Sequence, residues 1–285
     1  MNPNDYKLKM MMKNYCALSD TTVAANSVPF GDWDIDHIMT ATPDAEFRTT
    51  DETTVQITLT LAQFRTVSAY GLFGHNLSQS AIITTTIKRD NQTVYTSTGF
   101  ANDPINTPFY RSPFATRPFG YSDGDELDVV LNHTAVFFPP NFCDEVVIDI
   151  QDNDNADGYI RIGYLYIGET IEPRFNPPFG DGIGSTVNLT ATHNDGILYS
   201  KYQNTGRTAQ VSLPWLTELE AIQIEQGIKF CIQNNLPVFV SYYEGAGGIL
   251  QSDHELLAKV EGYEPPSQHA HGYFGTALRL IESVM

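Results

Sequence analysis

Apolar residues that recur at every second position, in a stretch without helical spacing, constrain this chain most. In Thr53-Thr-Val-Gln-Ile-Thr-Leu-Thr-Leu61, Val55, Ile57, Leu59 and Leu61 fall on one face and polar residues on the other. That is the pattern of a strand with one buried side. Val67–Phe73, Ala81–Ile87 and Thr93–Tyr95 continue it, with the turn-forming Asp90-Asn-Gln between the last two. Strands are expected again at Glu126–Leu131, Glu145–Ile150 and Tyr159–Ile167. No convincing helix precedes residue 170. Short strands divided by turn signals predict an antiparallel β-sandwich over 14–170.

The pattern changes after Glu172-Pro-Arg-Phe-Asn-Pro-Pro-Phe-Gly-Asp-Gly182, which is rich in Pro and Gly and marks a linker at 171–184. Beyond it, Val187–Thr192, Ala209–Leu213, Pro237–Tyr243, Glu255–Tyr263 and Tyr273–Ile281 read as strands. One helix is expected, opened by Pro214 and running from Trp215 to Ile232. Leu216, Leu219, Ile222 (or Ala221), Ile228 and Cys231 would face the sheet, and the acidic residues of the first turns suit the helix dipole. The prediction for 185–285 is therefore an α+β domain, one helix on a sheet of about five strands. The whole chain is expected to be mainly β. Residues 1–13, polar, Met-rich and locally basic, read as an N-terminal arm reaching a neighbouring subunit, or alternatively as a frayed terminus.

Charge narrows the partners. The 285 residues carry 16 basic and 34 acidic side chains, a formal charge of −18. Nucleic acid and anionic membrane surfaces both need clustered Lys and Arg, so neither is an expected partner. No run of eighteen apolar residues is present, so no membrane span is expected. Cys16, Cys143 and Cys231 are distant and odd in number, which argues against a disulfide framework. The opening MNPNDYKLKMMMKNY lacks an apolar h-region, so no signal peptide is expected.

Motifs for chemistry are sparse. There is no nucleophile elbow, P-loop or dinucleotide-binding glycine pattern after a strand. His269-x-His271 has a metal-site spacing but lacks further ligands nearby. Asp152-Asn-Asp-Asn-Ala-Asp-Gly158 misses the register of a calcium loop and reads as a turn whose Asp and Asn bond their own backbone. His75, where a hydrophobic strand ends, reads as a structural imidazole. No catalytic residue, metal or cofactor is expected, and the chain is read as no enzyme.

Several blocks carry a resemblance through their order. Asn14-Tyr15, Glu46-Phe47-Arg48, Val55–Leu61 and Leu72-Phe-Gly-His-Asn-Leu-Ser78 are followed by Val146–Ile150, Asp152–Gly158 and Tyr159-Ile-Arg-Ile-Gly-Tyr-Leu-Tyr-Ile-Gly168. They resemble a galactose-binding-like (discoidin-type) jelly-roll β-sandwich of minor tail and other virion proteins of tailed phages. The last blocks are similar to its I-x-D-x-x-N-x-D-G-Y-I-x-I-G-x-L-x-x-G pattern. The remainder resembles the tail-associated domain that often follows: a strand, a long helix near a Trp, then three strands. The Pro- and aromatic-rich stretch 99–124 departs from the pattern.

The resemblance implies a structural component of a phage tail or its distal apparatus, assembled in the host cytoplasm with other virion proteins as a homo-oligomeric ring or trimer. Phe100, Phe109, Tyr110, Phe114, Phe119, Tyr121, Phe175 and Phe179 are the interface residues expected on that view, since buried aromatics anchor interfaces. The alternative is a carbohydrate-binding module for attachment to a host glycan. Its sugar contacts would come from Trp33, Asp34, Asp36, His37 and Arg48, in loops at one end of the sandwich.

Overall fold

A computed structural model describes residues 7–40, 45–50, 53–78, 80–101, 133–178, 181–194, 197–244 and 254–283, with backbone alone for residue 100 and for 185–205. The chain divides into two compact units. One is Lys13–Thr170. The other takes, among the described residues, 7–12 together with those of 171–244 and 254–283.

The first unit is an antiparallel β-sandwich. It contains β2 (Thr21–Ala25), β3 (Phe47–Arg48), β4 (Thr54–Phe73), β5 (Ile82–Arg89), β6 (Gln92–Phe100), β7 (His133–Gln151), β8 (Arg161–Ile162) and β9 (Tyr164–Ile171). The two expected strands at 53–61 and 67–73 are one long strand, β4. It pairs along its length with β7, and the register shifts between Thr60 and Arg65 and again between Val67 and Ala69. Irregularities of this kind bend a strand. Before the corner, β4 and β7 belong to a layer ordered β2-β4-β7-β5-β6; after it, β4 lies between β7 and β9. Both halves feed one core: Val55, Ile57, Leu59 and Leu61 meet Val67, Leu72, Leu165 and Ile167 there. Asp90 and Asn91, at φ 52° and 61°, close the tight β5–β6 hairpin, a conformation that Asp and Asn tolerate.

The second unit holds β1 (Lys9–Asn14, up to Met12), β10 (Gly182–Asn194), β11 (Ile197–Leu216), α1 (Glu218–Asn234), β12 (Val238–Ser241), β13 (Glu255–Ala270) and β14 (Tyr273–Glu282). Its antiparallel sheet runs β10-β11-β14-β13-β12-β1. Three expectations are corrected here. The described part of the arm at 1–13 is a strand of this sheet, because Leu8, Met10 and Met12 alternate and are buried in its core. The linker at 171–184 is shorter than expected: Ile171 ends β9 and Gly182 opens β10.

The helix begins three residues beyond the expected start. Thr217 accepts from the Glu220 amide at 3.4 Å, and Glu220 Oε2 accepts from the Thr217 amide at 2.7 Å, which makes a capping box. Pro214 and Trp215 therefore belong to β11. The buried face keeps the expected Ala221, Ile228 and Cys231 and adds Ile224 and Gly227. Leu219 and Ile222, expected inward, are 66% and 44% exposed.

Candidate functional site

Two interlocked turns prepare one end of the sandwich. The Gly74–Ser78 turn and the Asp152–Gly158 turn are far apart in sequence and bonded to each other. Asp152 is buried and accepts from Ser78 N at 2.8 Å, from Ser78 Oγ, and from Asn155 Nδ2 at 2.9 Å. Asn76 Nδ2 donates to Asp157 Oδ2 and to Tyr159 O, each at 2.9 Å, while Asn76 Oδ1 accepts from Arg161 N at 2.8 Å. The expected pairing of Asp and Asn with their own backbone is present in the bond from Asp157 N to Asn155 Oδ1. The carboxylates of the Asp152–Gly158 turn are thereby used to hold the adjacent turn. Among the described residues no group of three His, Cys, Asp or Glu could hold a metal.

His75 lies beneath, buried. Its Nδ1 accepts from Leu77 N at 3.3 Å, and its Nε2 is 2.9 Å from Thr134 Oγ1, which itself donates to Ala101 O. Thr134 has one proton and gives it to the carbonyl, so Nε2 must be the donor and the ring is neutral. A second proton at Nδ1 would face the Leu77 N–H. Burial, aided by repulsion from His133, pulls this imidazole down to about 3.

These turns place β8, and β8 pairs with β3. The register sets Phe47 opposite Ile162, both buried, and Arg48 opposite Arg161 on the outer side. The loop from β2 then folds across β3. Phe30 N donates to Arg48 O at 2.8 Å and Arg48 N donates to Trp33 O at 3.2 Å, so the Phe30–Trp33 turn clasps β3 through its backbone. Gly31, at φ +61°, supplies the left-handed residue that the turn needs. Asp34 then caps a short 3-10 turn, Ile35–Met39, through Ile35 N at 2.6 Å. Ile35 and Ile38 fix that turn to the core.

The outcome is an ordered patch. Phe30 and Trp33 stand 46% and 38% exposed. The Arg48 guanidinium packs against two rings, its Cζ 4.3 Å from the Phe30 centroid and 3.7 Å from that of Tyr159. His37 Nδ1 sits 3.1 Å from Glu46 O and, facing a carbonyl, carries the proton. Glu46 Oε2 is 3.6 Å from Arg161 Nε. Burial pushes the Glu46 carboxyl above its usual range, against the attraction of Arg161 and Arg48.

Trp33, Asp34, Asp36, His37 and Arg48 thus fall together, on one loop and the strand it clasps. Asp34 is occupied as a cap, and Asp36 points to solvent. Sequence reasoning missed Phe30, Glu46, Tyr159 and Arg161 as neighbours of this group. The alternation in Glu46-Phe-Arg48 and Tyr159-Ile-Arg161 was the available signal, since it puts each polar or aromatic pair on one face. Of the expected interface residues, Phe175 is exposed in the second unit with the Arg174 Cζ 5.6 Å from its centroid. Phe100 lies in β6. Phe109, Tyr110, Phe114, Phe119, Tyr121 and Phe179 lie outside the described residues. His269 is the last residue but one of β13, and His271 is in the turn that follows, both exposed.

No family model and no curated protein matches this chain. Solved structures do resemble part of it. CpGH89CBM32-5 from Clostridium perfringens, in complex with GalNAc-β-1,3-galactose, is 12% identical over 53% of this chain and 96% of its own, at a TM-score of 0.36. Chitosan-binding module 1 from a chitosanase/glucanase of Paenibacillus sp. IK-5 is 13% identical over 55% and 99%, at 0.36. A Streptococcus pneumoniae fucose binding module, SpX-3, is 10% identical over 55% and 98%, at 0.37. At such values the sandwich assignment rests on the strand pairing above.

Proposed function

We propose that the sandwich unit binds carbohydrate at the Phe30–Trp33 loop and the outer side of β3. One observation carries this reading: two large aromatic side chains stand exposed on a turn that two backbone hydrogen bonds tie to β3. An ordered aromatic surface suits the C–H face of a pyranose, and neighbouring polar groups suit its hydroxyls. His37, Asp36 and Arg48 supply such groups here. The role proposed is binding without turnover, and hydrolysis of a bound saccharide would overturn that part. The test is calorimetric titration against a panel of neutral and acidic oligosaccharides. Trp33→Ala is expected to weaken binding about tenfold or more while the Tm moves by no more than about 3 °C. Unchanged binding in a folded Trp33→Ala protein would overturn the reading.

A second reading is a structural part of a tailed-phage virion. It draws on the block resemblance, and on the fact that two of those blocks, 72–78 and 152–158, bond to each other in the sandwich. Light scattering of the purified chain tests it. A ring or trimer would support assembly, and a monomer that captures no other virion protein would overturn it.

A further inference from the structure

The β3–β8 ladder is the least expected place for cations in this molecule. A chain of −18 with only 16 basic residues sets Arg48 directly opposite Arg161. Directly opposed residues point to one face, with Cβ atoms about 5 Å apart, and like charges so placed repel. Their recorded counter-charge is Glu46, whose carboxylate is itself opposed by burial and reaches Arg161 only at 3.6 Å. Nε of Arg48 and Nε of Arg161 are both buried and have no hydrogen-bond acceptor among the described residues. The Arg48 guanidinium packs against the rings of Phe30 and Tyr159, and its N–H donors lie in the plane of the group, along its edge. A guanidinium held flat, with an unused edge beside a second arginine, is arranged for a planar oxyanion taken by two parallel N–H···O bonds.

We propose that Arg48 and Arg161 form an anion subsite, and that the saccharide bound here carries a carboxylate, as uronic and sialic acids do. The inference rests on the carbohydrate reading above and narrows it to acidic sugars. The carboxylate would relieve the repulsion across the ladder, while the sugar ring takes the exposed aromatic surface. Tyr159 and Phe30 act as positioning residues, since they hold the Arg48 fork rather than contact the anion.

The experiment uses the full chain and matched pairs of ligands: trigalacturonate against its methyl ester, and sialyllactose against lactose. At low salt at least one acid is expected to bind about tenfold or more tighter than its neutral partner, with the preference falling as salt rises. Arg161→Gln should abolish that preference. Arg48→Lys keeps the charge but loses the fork, so it should reduce the preference too, and thermal unfolding of each variant shows that the fold persists. Equal affinity for acid and neutral partners, or a preference that survives both substitutions, overturns the subsite and leaves the carbohydrate reading standing. If no saccharide of either kind binds, both fall.

Discussion

Single residues at the prepared end of the sandwich carry most of the electrostatic consequence. His75 is neutral in the fold, with its imidazole pulled down to about 3, while an unfolded chain would protonate it near its ordinary 6.5. Between those values the unfolded state binds the extra proton, so the stability present above 6.5 is progressively lost as the pH falls toward 3. At pH 5 the loss from this group is about 2 kcal/mol. Denaturant unfolding at pH 7.5 and pH 5 should show it, and His75→Gln should flatten that part of the slope. Asp152 is the second such residue. Asp152→Ala would take the side-chain acceptor from Ser78 N–H and leave Asn155 Nδ2 with its bond to Asn76 O alone, and a loss of about 2–4 kcal/mol is expected by denaturant titration. The Asp and Asn composition of both turns was legible as turn chemistry. Their bonding to each other was not, because residues 76 and 157 share no local signal.

At the scale of elements the helix tests which of its apolar residues carry its packing. Thr217→Ala removes the cap and should cost about 1 kcal/mol. With the capping box as origin, Ile224 is in the core and Ile222 is not. Ile224→Ala is accordingly expected to cost about 2–4 kcal/mol and Ile222→Ala under about 1 kcal/mol, by chemical denaturation of each variant. The reverse order would restore the face expected from apolar spacing. Gly227 bears on the same packing, because a Cβ there would lie 2.8 Å from Met12 Cβ. Gly227→Ala should therefore destabilise, although alanine is the better helix former. Long strands were only partly legible. Alternation marked 53–61 and 67–73, but the bend between them interrupts the period, so one strand read as two.

The whole molecule has two cores, and its cysteines report on both. Cys16 and Cys143 lie in the sandwich unit and Cys231 on the buried face of α1, all three buried and outside any disulfide. Burial pushes every one of these thiols up, to about 12 for Cys143 and Cys231. Native protein should be unreactive toward a disulfide reagent at neutral pH, and guanidinium should release three thiols per chain. Unequal labelling rates for Cys231 and the other two, read by mass spectrometry in mild denaturant, would show that the units open separately. The sequence alone determined what is local: β-alternation, turn chemistry at Asp90-Asn91, a single amphipathic helix, and the residue types gathered at 33–48. Tertiary structure decided the rest. It made the apparent arm a strand through pairing with β12, and it set Arg48 against Arg161 through a register that depends on two distant turns. Those decisions are made by pairing and burial between segments more than a hundred residues apart, and side-chain periodicity within a segment contains no information about its partner.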